Sequence, residues 1–388
     1  MRGPTAMLVA ALCVAAMILA GCSGANGDGS GGDGGSDGGG DVTSADRAEV
    51  VAAAVDDVIV PGYEKLADET AALATSIATL CASPDEQKLT DSRHTWIAAQ
   101  SAWADTAAYR FGPIKDLRLL ARIAYAVDTD KIARFAAESD EVLTADELHG
   151  KGADLRGLNA VQYLLFTPTT AAELTPRACS YALAGATLSA AAAEEVSAAW
   201  GEGVDGEPPA AQQMKEPGDD GMWADTTEAL EDLLNGVLGA LTTVVDMQLG
   251  PVIGVDGEQP APQETDGGAA HRLSGDMLDE VAGIESIVAG TDDRVGDVGA
   301  AGGLSALVAA AGAERTAEEM PKALSNASRA IASAGSPISD LDPTADTSAM
   351  DDLARAHELL GELRTTMSTE VASLLGLTVS FSDADGDG

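Results

Sequence analysis

Residues 89–113 read LTDSRHTWIAAQSAWADTAAYRFGP and show the pattern of an amphipathic helix. Projected at the helical period, the apolar side chains of this stretch fall on one stripe, as expected for a helix with one buried face. The stripe consists of Leu89, Trp96, Ile97, Ala104, Ala107 and Phe111. Gly112 and Pro113 then end the helix, because proline cannot continue the hydrogen-bond ladder.

Two polar side chains, Arg93 and Gln100, fall inside this apolar stripe. Burying a guanidinium or an amide without a partner costs a few kcal/mol. We therefore expect each of them either to bind a ligand or to bridge neighbouring helices, and the sequence leaves both alternatives open.

The rest of the chain has the same helical character. Ala, Leu, Glu and Asp dominate, aromatic residues make up 3%, and β-branched residues do not alternate over any long stretch. The sequence therefore predicts an all-α fold. Between the breaks made by Pro and Gly, the predicted helices span roughly 45–80, 86–111, 128–138, 152–166, 173–200, 224–249, 271–290, 301–314, 317–334 and 346–375.

A segment rich in Gly, Pro and Asp, residues 201–223, is the expected boundary between two helical bundle-like lobes. The N-terminal lobe would span residues 45–200 and the C-terminal lobe residues 224–388. Together, residues 45–388 would form one domain.

The N-terminal region has the features of an export signal and a membrane anchor. Residues 1–21 combine Arg2 with a short apolar core, which is typical of a cleaved signal peptide. Leu19-Ala20-Gly21-Cys22 resembles the lipobox of bacterial lipoproteins, so we expect Cys22 to be lipidated. Residues 22–44, almost only Gly, Asp and Ser, would form a flexible tether. We therefore expect a lipid-anchored protein of the cell envelope, on the periplasmic side or at the surface of the outer membrane if the host has two membranes.

The charge of the chain excludes one class of partner. With 63 acidic against 22 basic residues, the net charge is −41, and such a surface repels nucleic acid. The expected partners are the membrane, through the lipid anchor, and other envelope proteins.

After export and lipidation, the folded part of the chain keeps two cysteines, Cys81 and Cys179. In an oxidising compartment two remaining thiols usually pair, so we expect a disulfide between them. Neither cysteine has the spacing of a metal-binding or redox motif, and the sequence identifies no metal ligands and no catalytic residues.

Four ordered segments resemble the imelysin family, exported bacterial proteins that include iron-regulated envelope proteins and that were formerly grouped with peptidases. They are Trp96–Gln100 continuing to Tyr109–Pro113, Gly157–Phe166, Leu273-Ser274 with Gly283–Glu285, and residues 374–387. The resemblance implies an all-α fold of two bundle-like lobes with a functional site between them. The family's Gly-x-His-x-x-Glu motif corresponds here to Gly157, Asn159 and Gln162, so amides replace the histidine and the carboxylate. Gln100 stands where members often carry arginine.

The resemblance leads us to expect a non-catalytic envelope binding protein connected with iron or metal acquisition. Its predicted ligand cleft consists of Arg93, Trp96, Gln100, Arg110, Asn159 and Gln162. No cofactor is identified, although iron or another divalent metal would suit this role. A metallopeptidase-like enzyme is the first alternative, but Asn159 and Gln162 lack the groups that bind zinc. A surface interaction scaffold is the second.

Overall fold

The computed structural model describes residues 42–139, 141–255, 257–264, 268–290, 302–335 and 337–380. The predicted signal peptide, Cys22 and the tether as far as residue 41 lie outside the described residues. Within the described ranges the regular secondary structure is helical and includes no β-strand, which confirms the all-α prediction.

The α-helices are of very unequal length. In chain order they are α1 (Ser44–Ala53), α2 (Val60–Ala82), α3 (Glu86–Asp105), α4 (Pro113–Asp116), α5 (Leu120–Ile123), α6 (Thr129–Ala137), α7 (Ala145–His149), α8 (Leu158–Phe166), α9 (Pro176–Gly201), α10 (Ala210–Lys215), α11 (Thr226–Thr242), α12 (Gly250–Ile253), α13 (Leu273–Ala289), α14 (Leu304–Ala310), α15 (Glu314–Ala334), α16 (Thr347–Thr366) and α17 (Ala372–Leu375). Short 3₁₀ turns span Thr106–Tyr109, Ala153–Leu155, Ala171–Glu173, Pro262–Glu264, Gly268–Ala270 and Ile338–Asp340. In the described part of the chain, three π-helical segments span Ala54–Ile59, Thr243–Leu249 and Met367–Val371.

Local sequence signals explain where several helices begin. Thr43 and Asp46 form a reciprocal capping box at the start of α1, and the Asp225 side chain accepts two backbone N–H groups at the start of α11. The predicted helix over 86–111 is shorter than expected, since α3 ends at Asp105 and the Thr106–Tyr109 turn continues it with tighter winding. The linker loop predicted over 201–223 includes the short helix α10.

The long helices share one continuous apolar core. Helix α2 packs against α3 and α9, and α13 packs against α3 and α15. The two predicted cysteines meet where α2 ends and α9 begins, with the sulfur atoms of Cys81 and Cys179 2.01 Å apart. The described residues from 42 to 380 belong to one compact unit, and the division into lobes of 45–200 and 224–388 stays a prediction.

The Thr106–Tyr109 turn is enclosed by two helices that approach its backbone through glycine. A Cβ atom added to Gly283 of α13 would lie 2.1 Å from the carbonyl oxygen of Asp105. A Cβ atom added to Gly236 of α11 would lie 2.2 Å from the carbonyl oxygen of Ala108. Neither position therefore has room for a side chain, and the two glycines fix how closely α11 and α13 pack on the turn.

One continuous helical stretch, Thr226–Ile253, is long and apolar enough to cross a membrane by length and composition. Half of its most apolar window is buried inside the described body, as in the core helix of a globular domain. A single stretch of this kind is weak evidence for a membrane span.

Candidate binding site: a buried carboxylate cluster

Helices α3 and α8 are joined by side chains that the sequence placed in a ligand cleft. Arg93 donates from Nε to the carbonyl oxygen of Leu165 at 2.9 Å and from Nη2 to that of Pro168 at 2.6 Å. The buried Trp96 donates from Nε1 to the carbonyl oxygen of Leu158 at 2.9 Å. Both side chains thus satisfy backbone groups at helix α8, which is the bridging alternative for Arg93.

The two amides of the family motif also have local roles. Asn159 donates from Nδ2 to the carbonyl oxygen of Tyr125 at 2.9 Å. Gln162 is buried, with its side chain directly against Gly268. The motif glycine, Gly157, has φ of +85°, a conformation that favours glycine. These contacts leave a ligand-binding role for Asn159 and Gln162 as a prediction.

Gln100 and Arg110 belong to a different environment, beside helix α13. Gln100 donates from Nε2 to Asp276 Oδ2 at 3.3 Å. The Arg110 guanidinium stacks on the Trp103 ring at 3.8 Å and donates from Nη2 to the Trp103 carbonyl oxygen at 2.5 Å. The positive charge of Arg110 also favours the ionised form of Glu280. The structure therefore brings two of the six predicted cleft residues to an acidic helix face.

Three carboxylates on α13, those of Asp276, Asp279 and Glu280, lie one turn apart or less along this face. Arg272, just before the helix, donates from Nε to Asp276 Oδ1 at 3.1 Å. Its Nη2 contacts both Asp279 and the hydroxyl of Ser101. We call the whole group the carboxylate cluster, which comprises Gln100, Arg110, Gln248, Arg272, Asp276, Asp279 and Glu280.

The π-helical segment Thr243–Leu249 supplies the last member of the cluster. Gln248 donates from Nε2 to Glu280 Oε1 at 3.2 Å, across to α13. The wider turn of a π segment changes which side chains face a neighbour, and such segments are frequent at functional sites. Here the neighbouring Met247 is half exposed while Gln248 points inward.

Burial dominates the acid-base properties of the cluster. It raises the pKa of Asp276 to about 7, against the opposing charge of Arg272 and with a further increase from Asp279. Burial likewise raises the pKa of Glu280 to about 7, opposed by Arg110 and reinforced by Asp276. Two adjacent carboxyl groups therefore titrate close to neutral pH.

Three acceptor oxygens in the cluster are buried and have no hydrogen-bond partner among the described residues. They are Gln100 Oε1, Gln248 Oε1 and Glu280 Oε2. Because each glutamine directs its nitrogen to a carboxylate, its oxygen is left without a donor. Buried oxygens are normally paired, so their concentration here makes the cluster the candidate binding site.

We expect Glu280→Gln to raise the free energy of unfolding by about 2 kcal/mol at pH 8, measured in urea with a chelator present. The pKa of Glu280 is about 7 in the folded chain, above its ordinary value of 4.5. Between pH 4.5 and pH 7 the folded chain therefore binds more protons than the unfolded chain. The stability of the unchanged chain therefore declines as the pH rises through this window, and glutamine removes that decline. At pH 5 the two chains should differ little.

Glu285→Gln is the matched control for this measurement. Glu285 lies on the same helix, is only partly buried and does not belong to the cluster. It should change the pH profile of stability much less than Glu280→Gln. An unaltered decline between pH 5 and pH 8 in the Glu280→Gln chain would contradict the burial argument.

The sequence interpretation missed the acidic half of this site. Glu280 lies on the buried stripe of α13, between Met277 and Ile284 at helical spacing. The same reasoning that singled out Arg93 and Gln100 on an apolar stripe would have found Glu280. Nothing in the spacing places Gln248 beside it, because that contact joins two helices.

In the part of the chain that the structure describes, no group of three or more His, Cys, Asp or Glu side chains is arranged to hold a metal ion. The amide side chains of Asn159 and Gln162 do not suit zinc or another borderline metal. The motif position thus does not fit the metal centre that a peptidase would need.

Comparisons with known proteins agree with the fold. The imelysin family model matches residues 59–367. An imelysin-like protein from Psychrobacter arcticum 273-4 has a similar structure, with a TM-score of 0.70 at 16% identity, covering 88% of this chain and 99% of that chain. A protein described as an iron-regulated protein A precursor, from Parabacteroides distasonis ATCC 8503, has a TM-score of 0.65 at 19% identity, covering 84% and 96%. No curated protein matches by sequence.

At these low sequence identities, the two structures support the fold alone. The family model, in contrast, extends over most of the chain and includes the helices that build the carboxylate cluster. The chain therefore belongs to the imelysin family.

Proposed function

We propose that this chain is an exported, lipid-anchored binding protein of the cell envelope, without catalytic activity, that serves iron or metal acquisition. The observation that carries the proposal is the set of buried oxygens on Gln100, Gln248 and Glu280 that accept no hydrogen bond from any described residue. A buried group of acceptors is costly to maintain, and a bound ligand that satisfies it would offset that cost.

Two further observations support this function. The lipobox ending in Cys22 suits a protein held at a membrane surface by a lipid. The structural neighbour from Parabacteroides distasonis is described as iron-regulated, which fits a role in metal supply.

The absence of a suitable donor set at the motif argues against a peptidase. Asn159 and Gln162 can neither act as acid or base near neutral pH nor replace a histidine and a carboxylate at zinc. A surface scaffold is the remaining alternative, and it would need no buried ligand at all.

The test starts from the full chain expressed in a bacterium and extracted from membranes with detergent. We expect Cys22→Ala to move the protein from the membrane fraction to the soluble fraction, since the lipid anchor is lost. Cells that lack the chain should contain less iron or manganese than cells that have it, by elemental analysis after growth in metal-poor medium.

A peptidase assay on the same preparation separates the alternatives. The proposal expects no cleavage of a mixed peptide library with or without added metal. Chelator-sensitive cleavage would favour the enzyme, and unchanged cellular metal content together with stable protein partners would favour the scaffold.

A further inference from the structure

In the carboxylate cluster, the buried side-chain atoms that have no hydrogen-bond partner among the described residues are all oxygens, which can act as metal ligands. Two belong to the amides of Gln100 and Gln248 and one to the carboxylate of Glu280. The Asp276 carboxylate lies one turn from Glu280 and accepts from Gln100. Carboxylate and amide oxygens are the ligands of hard cations, whereas zinc and copper favour imidazole and thiolate.

When its carboxylates are ionised, the charges of the cluster disfavour an anionic ligand. Two guanidinium groups, those of Arg110 and Arg272, face three carboxylates, which leaves one net negative charge when all are ionised. Asp105, at the end of α3, is already paired with Lys65 at 2.6 Å and does not alter this balance. This excess negative charge attracts a cation and repels an anion.

The burial of the free oxygens limits the size of the ligand. All three acceptor atoms are shielded from solvent. A ligand in direct contact with the acceptors is therefore of ionic size.

We infer that the carboxylate cluster binds a single hard metal cation through oxygen atoms of Gln100, Gln248, Asp276 and Glu280. The inference rests on the proposed function and names its ligand class. Neither Asn159 nor Gln162 is among these four residues, so the inference does not depend on the amides that replaced the reactive groups of the family motif.

Titration calorimetry of the metal-free full chain in detergent tests the site, with Mn²⁺ and Ca²⁺ as probes and Zn²⁺ as the comparison. Mn²⁺ binding is also followed by the loss of the free-ion electron paramagnetic resonance signal. We expect one Mn²⁺ or Ca²⁺ ion per chain. Glu280→Gln should weaken Mn²⁺ binding by a factor of about ten or more, since it removes a buried charge from the donor set.

Two further variants keep the test independent of folding. Glu285→Gln, on the same helix, should leave Mn²⁺ affinity unchanged. Gln248→Met preserves side-chain length, removes one oxygen donor and should weaken Mn²⁺ binding several-fold. Each chain is first compared by circular dichroism and thermal unfolding.

Equal Mn²⁺ affinity in the unchanged and Glu280→Gln chains would overturn the inference. Zn²⁺ binding that is tighter than Mn²⁺ binding, and that neither Glu280→Gln nor Gln248→Met weakens, would also overturn it. Either result leaves the proposed function standing if cells still depend on the chain for metal. Mn²⁺ binding at the cluster in a chain that cleaves peptides would do the reverse, supporting the cation site while removing the non-catalytic function.

Discussion

Replacing Cys81 and Cys179 together by alanine is expected to lower the free energy of unfolding by about 4 kcal/mol. The disulfide closes a loop with a sequence separation of 98 residues, and a cross-link over so long a loop strongly restricts the unfolded chain. It also fixes the end of α2 against the start of α9, two helices that pack along their length. Urea unfolding followed by circular dichroism under non-reducing conditions measures the loss.

The unchanged chain in the presence of a reductant is the control for the double variant. Both should unfold at nearly the same urea concentration, because both lack the same cross-link. A loss below about 1 kcal/mol would mean that the unfolded chain gains little freedom when the bond is removed.

The disulfide illustrates what the sequence could predict. Counting the cysteines that remain after export left only Cys81 and Cys179 to pair, and the structure joins them. The all-α fold and the long helices were equally accessible, since apolar periodicity and breaks at Gly and Pro are local properties of the chain. Short helices such as α4 and α10 were missed because one turn gives too little periodicity to recognise.

The carboxylate cluster was only half accessible from the sequence, for a physical reason. Gln100 stood out because an amide on an apolar stripe needs a partner, but its partner, Asp276, lies 176 residues further along the chain. Helical periodicity assigns a face to each side chain and does not say which other helix covers that face. The acidic helix and the π-helical segment with Gln248 therefore emerge only when the helices are packed.

The sequence also left open whether Arg93 and Gln100 bind a ligand or bridge helices. In the structure Arg93 bridges two helices, because it donates two hydrogen bonds to backbone carbonyl groups at the end of α8. Gln100 bridges to α13 through its nitrogen and still keeps a buried oxygen free. The two alternatives are thus compatible in one side chain, because an amide is both donor and acceptor.

Gly283→Ala is expected to destabilise the fold by about 3 kcal/mol, the upper part of the range for forcing an extra carbon into a packed core. The new Cβ atom would lie 2.1 Å from the carbonyl oxygen of Asp105, so α13 must move away from α3 and the turn that follows it. The intrinsic preference of a helix for alanine, about 1 kcal/mol, acts in the opposite direction and is too small to compensate. Urea unfolding measures the difference.

Gly239→Ala is the matched control, because Gly239 is an exposed helical glycine of α11 with open space around its Cβ position. It should stabilise the chain by up to about 1 kcal/mol. Gly283 lies one turn beyond Glu280, so the same displacement of α13 should lengthen the bond between Gln100 and Asp276 and weaken Mn²⁺ binding. Loss of stability with unchanged Mn²⁺ affinity would show that the close helix approach serves the fold alone, whereas loss of both would mean that this glycine contact also sets the geometry of the cluster.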